Sequence, residues 1–390
     1  MSQLSIQGRM FLQILKKAKH GTVQIHFPDG KNESYGEGLP VMQVEIKAWE
    51  AFDRLVKHGD LGLAESIIEG ELVVDDEAAL IEWACKNDQD LGQTVYGKWY
   101  GNILARLKHF LNDNTRKQAR KNIMAHYDLG NDFYRLWLDE TLTYSSAIFQ
   151  SPDQNLHSAQ IAKYDRIIDT LEIKPGDHIL EIGCGWGGFF SHAVEKVGCK
   201  VTAVMNSPQQ AKHNQEKIKT LGMSREVTLL QQDYRDISGS FDKVVSIEMI
   251  EAVGEKYWSD YFGKVSASLK TKGSAMIQGI TIQEDLFYSY RKGTDFIQQY
   301  VFPGGMLLTN QVLHEKGKQN GIQLADSFEF GLSYAETLKR WRENFTSSLP
   351  AVYEMGFDDK FVRLWNLYLS YCEGAFRAGR INVGQFQFKK

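Results

Sequence analysis

The sequence lacks the features that would place it in several broad classes of protein. Its four cysteines are scattered among 390 residues, with no CxxC pair and no zinc-like Cys/His spacing, so neither a disulfide framework nor a metal site is indicated. No stretch approaches the ~20 consecutive apolar residues of a transmembrane helix, and residues 1–22 lack the apolar core of a signal peptide. The net charge of −4 gives no global field that would attract nucleic acid. These absences predict a cytoplasmic globular protein, which would meet any lipid substrate from outside the bilayer.

Three segments follow one another along the chain. Residues 1–102 form a small α/β module, in which the alternating run Val23–Phe27 predicts a strand that ends at the turn 28–30. Residues 103–125 are rich in Lys and Arg, contain one acid, Asp113, and carry apolar residues at near-helical spacing. Such a basic amphipathic helix can lie on an anionic membrane surface. A solvated linker helix is the alternative.

The third segment, residues 126–390, alternates strands with helices. The predicted strands are His178–Ile182, Lys200–Met205, Val227–Gln231, Lys243–Ile247 and Ser274–Ile280. Strands that alternate with helices predict a parallel, doubly wound α/β sheet with right-handed crossovers. We expect the aromatic-rich tail, 285–390, to be mostly helical and to contribute lipid-binding insertions.

A glycine-rich turn follows the first strand of this segment. Gly183, Gly185 and Gly187 come directly after the buried run that contains Glu181, in the order ExGxG, and a helix follows them. Glycine allows the backbone to approach a ligand closely and to adopt positive φ, and doubly wound folds bind nucleotide-like cofactors at such a turn. Glycines alone do not separate NAD from S-adenosylmethionine (SAM), but the ExGxG order, with Asp233 after the third strand, favours SAM. At the end of the second strand, 205–207 is Met-Asn-Ser, where an acid is usual.

Seven collinear motifs between about 122 and 386 carry a family resemblance. They are HYDLGNDF at 126–133, TYSSA at 143–147, GCGWG at 183–187, QDYRD at 232–236, EAVG at 251–254, YVFPGG at 300–305 and YCEGAF at 371–376. The chain thus resembles the cyclopropane-fatty-acyl-phospholipid synthases and the related mycolic acid cyclopropane synthases. The N-terminal module is similar, more loosely, to the extra domain of the phospholipid-acting branch. The resemblance implies a Rossmann-like SAM-methyltransferase fold.

The resemblance also implies the cofactor contacts. Tyr144 and Ser145 would meet the methionine end of SAM, and Gly183, Gly185 and Gly187 would let the loop approach it. By the same resemblance, Gln210 would lie near the ribose, while Asp233 and Tyr234 would lie near the adenine.

The implied reaction needs a protected site, because an alkene attacked by the sulfonium methyl leaves a carbocation that water would trap. Aromatic faces and a carboxylate suit such a cation. In the phospholipid branch the proposed base is bicarbonate, and the corresponding residues here are Ser146, Glu251, Gln278, Ile280 and Tyr334. Ser146 replaces a cysteine and Gln278 a histidine that could titrate, and these two changes argue against bicarbonate. We expect Glu251 to be the main electrostatic group, and His126 either to order a loop beside SAM or to serve as a base.

Three functional hypotheses follow. In the first, the enzyme adds the SAM methyl carbon to the double bond of a phospholipid acyl chain, and loss of a proton from that methyl group closes a cyclopropane. In the second, the cation releases a different proton, which gives a methylene- or methyl-branched alkene. In the third, the protein binds SAM and lipid without catalysis. We expect a peripheral protein on the inner membrane surface, a phospholipid bilayer as its partner, no nucleic acid, and a homodimer.

Overall fold

The computed structural model describes residues 4–91 and 129–390. The predicted basic helix at 103–125 and His126 lie outside these residues. The chain divides into two compact units. The first contains the described residues up to 91 together with Lys292–Val301 and Leu338–Arg380. The second contains the remaining described residues, including the C-terminal Ile381–Lys390. Both units are therefore discontinuous in sequence, whereas the boundaries expected from the sequence are continuous.

The first unit contains a four-stranded sheet. Its strands are β1 (Gly21–His26), β2 (Asn32–Glu37), β3 (Val41–Ile46) and β4 (Leu72–Val74). The spatial order is β2-β1-β3-β4, with β1 and β3 parallel and the two outer strands antiparallel to their neighbours. In β1, buried and half-buried residues alternate, which is the pattern of a sheet with one packed face.

Helices cover this sheet and complete the core of the first unit. The N-terminal ones are α1 (Ile6–Leu15), α2 (Trp49–His58), α3 (Asp60–Ile68) and α4 (Glu77–Lys86). Phe27 and Phe11 both pack edge-on against Phe52, which is fully buried. The Trp83 indole donates a hydrogen bond to the Gly21 carbonyl at 3.1 Å, so α4 is fixed to the start of β1.

The second unit is built on a seven-stranded sheet. Its strands are β5 (His178–Ile182), β6 (Lys200–Met205), β7 (Val227–Gln231), β8 (Phe241–Ile247), β9 (Leu269–Ile282), β10 (Gln323–Glu329) and β11 (Ile381–Lys389). The spatial order is β10-β11-β9-β8-β5-β6-β7. The strands from β9 to β7 are parallel, while β11 is antiparallel to both β9 and β10. Since β5 lies where the strand order reverses, its carboxyl end is the topological switch point at which such folds bind ligands.

The remaining helices follow in chain order. They are α5 (Asn131–Arg135), α6 (Leu156–Thr170), α7 (Gly188–Val197), α8 (Pro208–Thr220), α9 (Trp258–Ser268), α10 (Glu284–Lys292), α11 (Asn310–Gln319), α12 (Gly331–Ser347), α13 (Leu349–Glu354) and α14 (Asp359–Arg377), with a π-helical turn at Ile297–Val301. Apolar layers cover both faces of the large sheet: Ile179 belongs to one core cluster and the adjacent Leu180 to the other. Burial on both faces explains why the central strands read as continuous apolar runs.

The predicted doubly wound α/β fold is confirmed, and β5, β6 and β7 have the predicted bounds. The tail is mostly helical, as predicted, but it also supplies β10 and β11. Within the described residues, none of the helices combines the length and the apolar character needed to span a membrane.

Candidate active site

The glycine loop at the carboxyl end of β5 has the backbone that its sequence predicts. Gly183, Gly185 and Gly187 all adopt positive φ, at 83°, 52° and 79°, which side chains disfavour. The amides of Gly183 and Cys184 both donate to the Val204 carbonyl at 3.0 Å, so the loop is fixed to β6. Asn214 reinforces it from α8 by donating to the Gly185 carbonyl at 2.9 Å.

The open space beside Gly185 and the unpaired polar atoms of two nearby buried side chains suit a nucleoside cofactor. A Cβ added to Gly185 would meet no protein atom within 4 Å, so its backbone faces open space. On α8, the buried Gln210 side chain has a nitrogen with no hydrogen-bond partner in the described structure, and one oxygen of the buried Glu181 carboxylate has none either. An unsatisfied buried polar atom needs an explanation, and a bound ligand that completes its hydrogen bonds is one. Gln210 thus carries an unpaired buried donor, and its contact with the ribose stays a prediction.

An aromatic wall surrounds Tyr144. Its ring packs edge-on against Trp137, with centroids 5.4 Å apart, and stacks with Phe302 at 6.4 Å. Tyr134 links this group to Trp186 of the glycine loop, with ring centroids 4.8 Å apart. Tyr144 therefore lies in the same aromatic group as the loop. Aromatic faces of this kind favour a sulfonium or a carbocation.

The acid after the third strand already has an ionic partner. Both carboxylate oxygens of Asp233 accept hydrogen bonds from the Arg235 guanidinium, at 2.8 and 2.7 Å. Tyr234 is half-buried and meets Tyr261 edge-on at 5.8 Å. The Arg235 backbone amide also donates to Asp233, at 3.0 Å, and the adenine contact of Asp233 stays a prediction.

Two glutamates lie close in sequence after β8. The Glu248 carboxylate accepts three hydrogen bonds: from the Ser146 amide at 2.9 Å, from the Gln278 side-chain amide at 2.8 Å and from the Tyr334 hydroxyl at 2.8 Å. The residues that supply these donors are all buried. Three donors on one carboxylate favour its ionised form.

Glu251 has a different environment. One of its oxygens accepts from the Ile280 amide at 2.6 Å, and the other is buried without a hydrogen-bond partner in the described structure. Its backbone carbonyl accepts from the Met306 amide at 2.8 Å. Burial, and then repulsion from Glu248, raise the pKa of Glu251 to about 8. Of the two carboxyl groups, Glu251 thus retains a proton more readily.

A buried lysine balances the charge at this site. The Lys163 side chain is fully buried, and its ammonium donates to the Ser145 hydroxyl at 2.7 Å. Burial lowers the pKa of Lys163 to about 7, and attraction to Glu248 opposes the fall. Burial also raises the pKa of Glu248, while Lys163 and then the donors Gln278 and Tyr334 act against the rise. Lys163 therefore holds Ser145, and in its protonated form it supplies a counter-charge to Glu248.

The structure groups the predicted catalytic residues differently from the sequence expectation. The sequence predicts that Glu251 and three other side chains surround a small anion. In the structure those three side chains belong to residues that donate to Glu248: Ser146, Gln278 and Tyr334. Ile280, also part of the predicted set, donates to Glu251. His126 lies outside the described residues.

Sequence reasoning missed Glu248 and Lys163. Glu248 directly follows a predicted strand at the carboxyl edge of the sheet, a position that could have suggested a role. Lys163 gave no such signal, because one lysine within an amphipathic helix normally faces solvent.

The chain is similar to known proteins in both sequence and fold. Residues 114–386 match the family described as mycolic acid cyclopropane synthetase, and residues 10–94 match a domain of unknown function. The chain is 35% identical over 342 residues to the tuberculostearic acid methyltransferase of Mycobacterium tuberculosis, covering 85% of this chain and 79% of that one. It is 32% identical over 370 residues to the cyclopropane-fatty-acyl-phospholipid synthase of Escherichia coli, covering 90% and 89%. The crystal structure of the mycolic acid cyclopropane synthase CmaA1 with SAH and CTAB has a TM-score of 0.66 at 30% identity, covering 70% of this chain and 98% of that one.

The fold, the glycine loop and these relatives define a SAM-dependent methyltransferase. The chain belongs to the mycolic acid cyclopropane synthetase family. The predicted family, enzyme class and SAM cofactor are thereby confirmed.

Proposed function

We propose that this protein transfers the methyl carbon of SAM to the double bond of an unsaturated acyl chain in a membrane phospholipid. The observation that carries the proposal is the carboxylate pair Glu248 and Glu251. Glu248 accepts a hydrogen bond from the amide of Ser146, directly after the predicted cofactor residues Tyr144 and Ser145. Met249, between the two glutamates, lies against Gly183 of the glycine loop. When bound, SAM supplies an electrophilic methyl carbon, which the alkene attacks as the carbon–sulfur bond breaks, leaving a positive charge on the acyl chain.

The residues around Glu248 and Tyr144 meet the needs of that reaction. The ionised Glu248 carboxylate stabilises a cation, and the aromatic group around Tyr144 does so without adding a nucleophile. The buried state of Ser146, Gln278 and Tyr334 supports a site from which water is excluded. Of the two carboxyl groups, Glu248 has three donors that favour its ionised form, so Glu248→Gln should lower turnover more than Glu251→Gln.

The phospholipid substrate is supported by similarity to the Escherichia coli phospholipid synthase over most of both chains. It implies that the protein works at a bilayer surface as a peripheral protein. Vesicles of monounsaturated phospholipid should therefore be better methyl acceptors than the free fatty acid, and the reverse preference would contradict this part of the proposal.

Cyclopropane formation is the product expected from the sequence. A methylene- or methyl-branched chain is a second candidate, and two observations favour it. The Cys and His of the phospholipid branch are replaced by Ser146 and Gln278, and the tuberculostearic acid methyltransferase is 35% identical to this chain.

Proton NMR of the product distinguishes a cyclopropane from a methylene- or methyl-branched alkene, because both products add one CH2 and have the same mass. The purified protein would be incubated with SAM and monounsaturated phospholipid vesicles, with Gly185→Ala as the variant impaired in cofactor binding. Ring protons far upfield identify a cyclopropane, and vinylic protons identify a branched alkene. Absence of any added carbon, with SAM still bound, would refute the proposed function.

A further inference from the structure

The carboxylate of Glu248 occupies a complete anion-binding site. Its three donors come from distant parts of the chain: Ser146 precedes α6, Gln278 lies on β9 and Tyr334 on α12. Donors from three elements that converge on one point form a rigid cradle for a small carboxylate. The chain fills that cradle with its own side chain.

The backbone at Glu248 is strained to reach this position. Its φ is 48°, in the left-handed region that glycine tolerates and larger residues avoid. The Glu248 amide donates to the Gln278 carbonyl at 2.8 Å, which holds the residue in that conformation. Strain of this kind persists where the surrounding structure enforces it, commonly at functional sites. A glycine would fit this backbone without strain, and it would leave the cradle empty.

Two side chains behind Gln278 fix the orientation of its amide. Gln385 lies directly opposite Gln278 in the β9–β11 ladder, and its side-chain nitrogen donates to the Gln278 oxygen at 3.0 Å. With its oxygen so occupied, the Gln278 amide must point its nitrogen at Glu248. Arg166 in turn donates to the Gln385 oxygen at 3.0 Å. The series Arg166, Gln385, Gln278 therefore presents a donor, and not an acceptor, to the carboxylate.

We propose that Glu248 is the proton acceptor of the reaction and takes the place of an external anion, so that turnover requires no bicarbonate. This inference rests on the proposed function. The Glu248 carboxylate removes one proton from the acyl cation and becomes a carboxylic acid. The electron pair of the broken carbon–hydrogen bond forms either the third ring bond or a new double bond. The proton later leaves to solvent, and no oxidant or reductant is needed.

The test compares the wild-type protein with Glu248→Gln and Glu248→Gly in buffer stripped of carbon dioxide, with and without added bicarbonate or formate. Wild-type methyl transfer should be unchanged by bicarbonate. Glu248→Gln, which fills the cradle with a neutral amide, should lose about 100-fold or more in rate, and added anions should not restore it. Glu248→Gly should lose activity similarly. Added bicarbonate or formate should raise its rate by at least about tenfold, because a free anion can bind to the same three donors.

A binding measurement separates this inference from the proposed function. In carbon-13 NMR, labelled bicarbonate should bind to Glu248→Gly and not to the wild type, whatever the lipid substrate. Glu172→Gly is the matched control, since Glu172 also has positive φ, at 49°, but is exposed; it should leave activity and anion binding as in the wild type.

A wild-type enzyme that depends on bicarbonate, or a Glu248→Gln variant with wild-type turnover, would overturn the inference. So would a Glu248→Gly variant that neither binds nor responds to the anion. If the wild type transfers no methyl group to any lipid, the proposed function fails, and the binding measurement alone decides whether Glu248 occupies an anion site.

Discussion

The hydroxyl of Tyr334 donates a hydrogen bond to the Glu248 carboxylate at 2.8 Å, across 86 residues of sequence. Tyr334 is buried on α12, and Glu248 follows β8. This contact joins α12 to the carboxyl edge of the sheet, and it is one of the three hydrogen bonds that lower the pKa of Glu248 against the rise caused by burial.

Removal of this hydroxyl should weaken the base. Tyr334→Phe removes a donor that lowers the pKa of Glu248, so that pKa should rise and the acidic limb of the pH–rate profile should move to higher pH. We expect turnover to fall by roughly 10- to 100-fold near neutral pH. Tyr353→Phe is the control, because Tyr353 also donates to a carboxylate, that of Asp359, but is exposed. An unshifted pH profile in Tyr334→Phe would contradict the assigned role.

Protonation of Glu251 should make stability depend on pH. The pKa of Glu251 is raised from 4.5 to about 8 in the folded protein. Its contribution to the free energy of unfolding is therefore fully present below about pH 4.5 and is lost as the pH rises through about 8. Glu251→Gln cannot ionise. Its melting temperature should equal that of the wild type near about pH 5 and exceed it near about pH 9.

The comparison uses thermal unfolding at several pH values, with the exposed Glu172→Gln as control. The control should follow the wild type throughout. A Glu251→Gln variant whose advantage is the same at both pH values would show that Glu251 does not bind the extra proton.

Gly185 should be required for the cofactor and not for the fold. A Cβ there meets no protein atom within 4 Å, so Gly185→Ala adds only the cost of positive φ, about 1 kcal/mol, while placing a methyl group in the space assigned to SAM. Calorimetry should show SAM affinity reduced by about tenfold or more, because a loss of ~1.4 kcal/mol in binding free energy raises Kd tenfold. Gly198→Ala, also at positive φ with nothing within 4 Å, should cost similar stability and leave SAM affinity unchanged.

Gln385 is a positioning residue that acts through Gln278. Gln385→Leu frees the Gln278 oxygen to rotate toward Glu248, so kcat should fall about fivefold to tenfold while SAM affinity and KM for lipid stay near wild type. Gln387→Leu changes the same residue type on the same strand, where its side chain donates to the Thr170 carbonyl. Equal effects of the two variants would reduce the role of Gln385 to stability alone.

The parts of the molecule that depend on local pattern could be predicted from the sequence. The apolar runs of β5 and β6 predict the fold, because strands that are buried on both faces need apolar residues throughout. The glycines at 183, 185 and 187 predict the cofactor loop, because positive φ favours glycine. The sequence analysis does not predict strand β11, although Gln and Phe alternate within it from Gln385 to Phe388.

The arrangement of the carboxylates could not be predicted. Whether Tyr334 binds Glu248 or Glu251 depends on how α12 packs, and the two candidates are only three residues apart. Burial of Lys163 likewise depends on tertiary packing, since its neighbours in sequence do not distinguish it from a surface lysine.

The most direct measurement of the central claim uses SAM labelled with carbon-13 in its methyl group and monounsaturated phospholipid vesicles, in buffer free of carbon dioxide. The wild type should place one labelled carbon on the acyl chain, and Glu248→Gln should place almost none while binding SAM normally. Equal labelling by the two proteins, or none by the wild type until bicarbonate is supplied, would contradict the account.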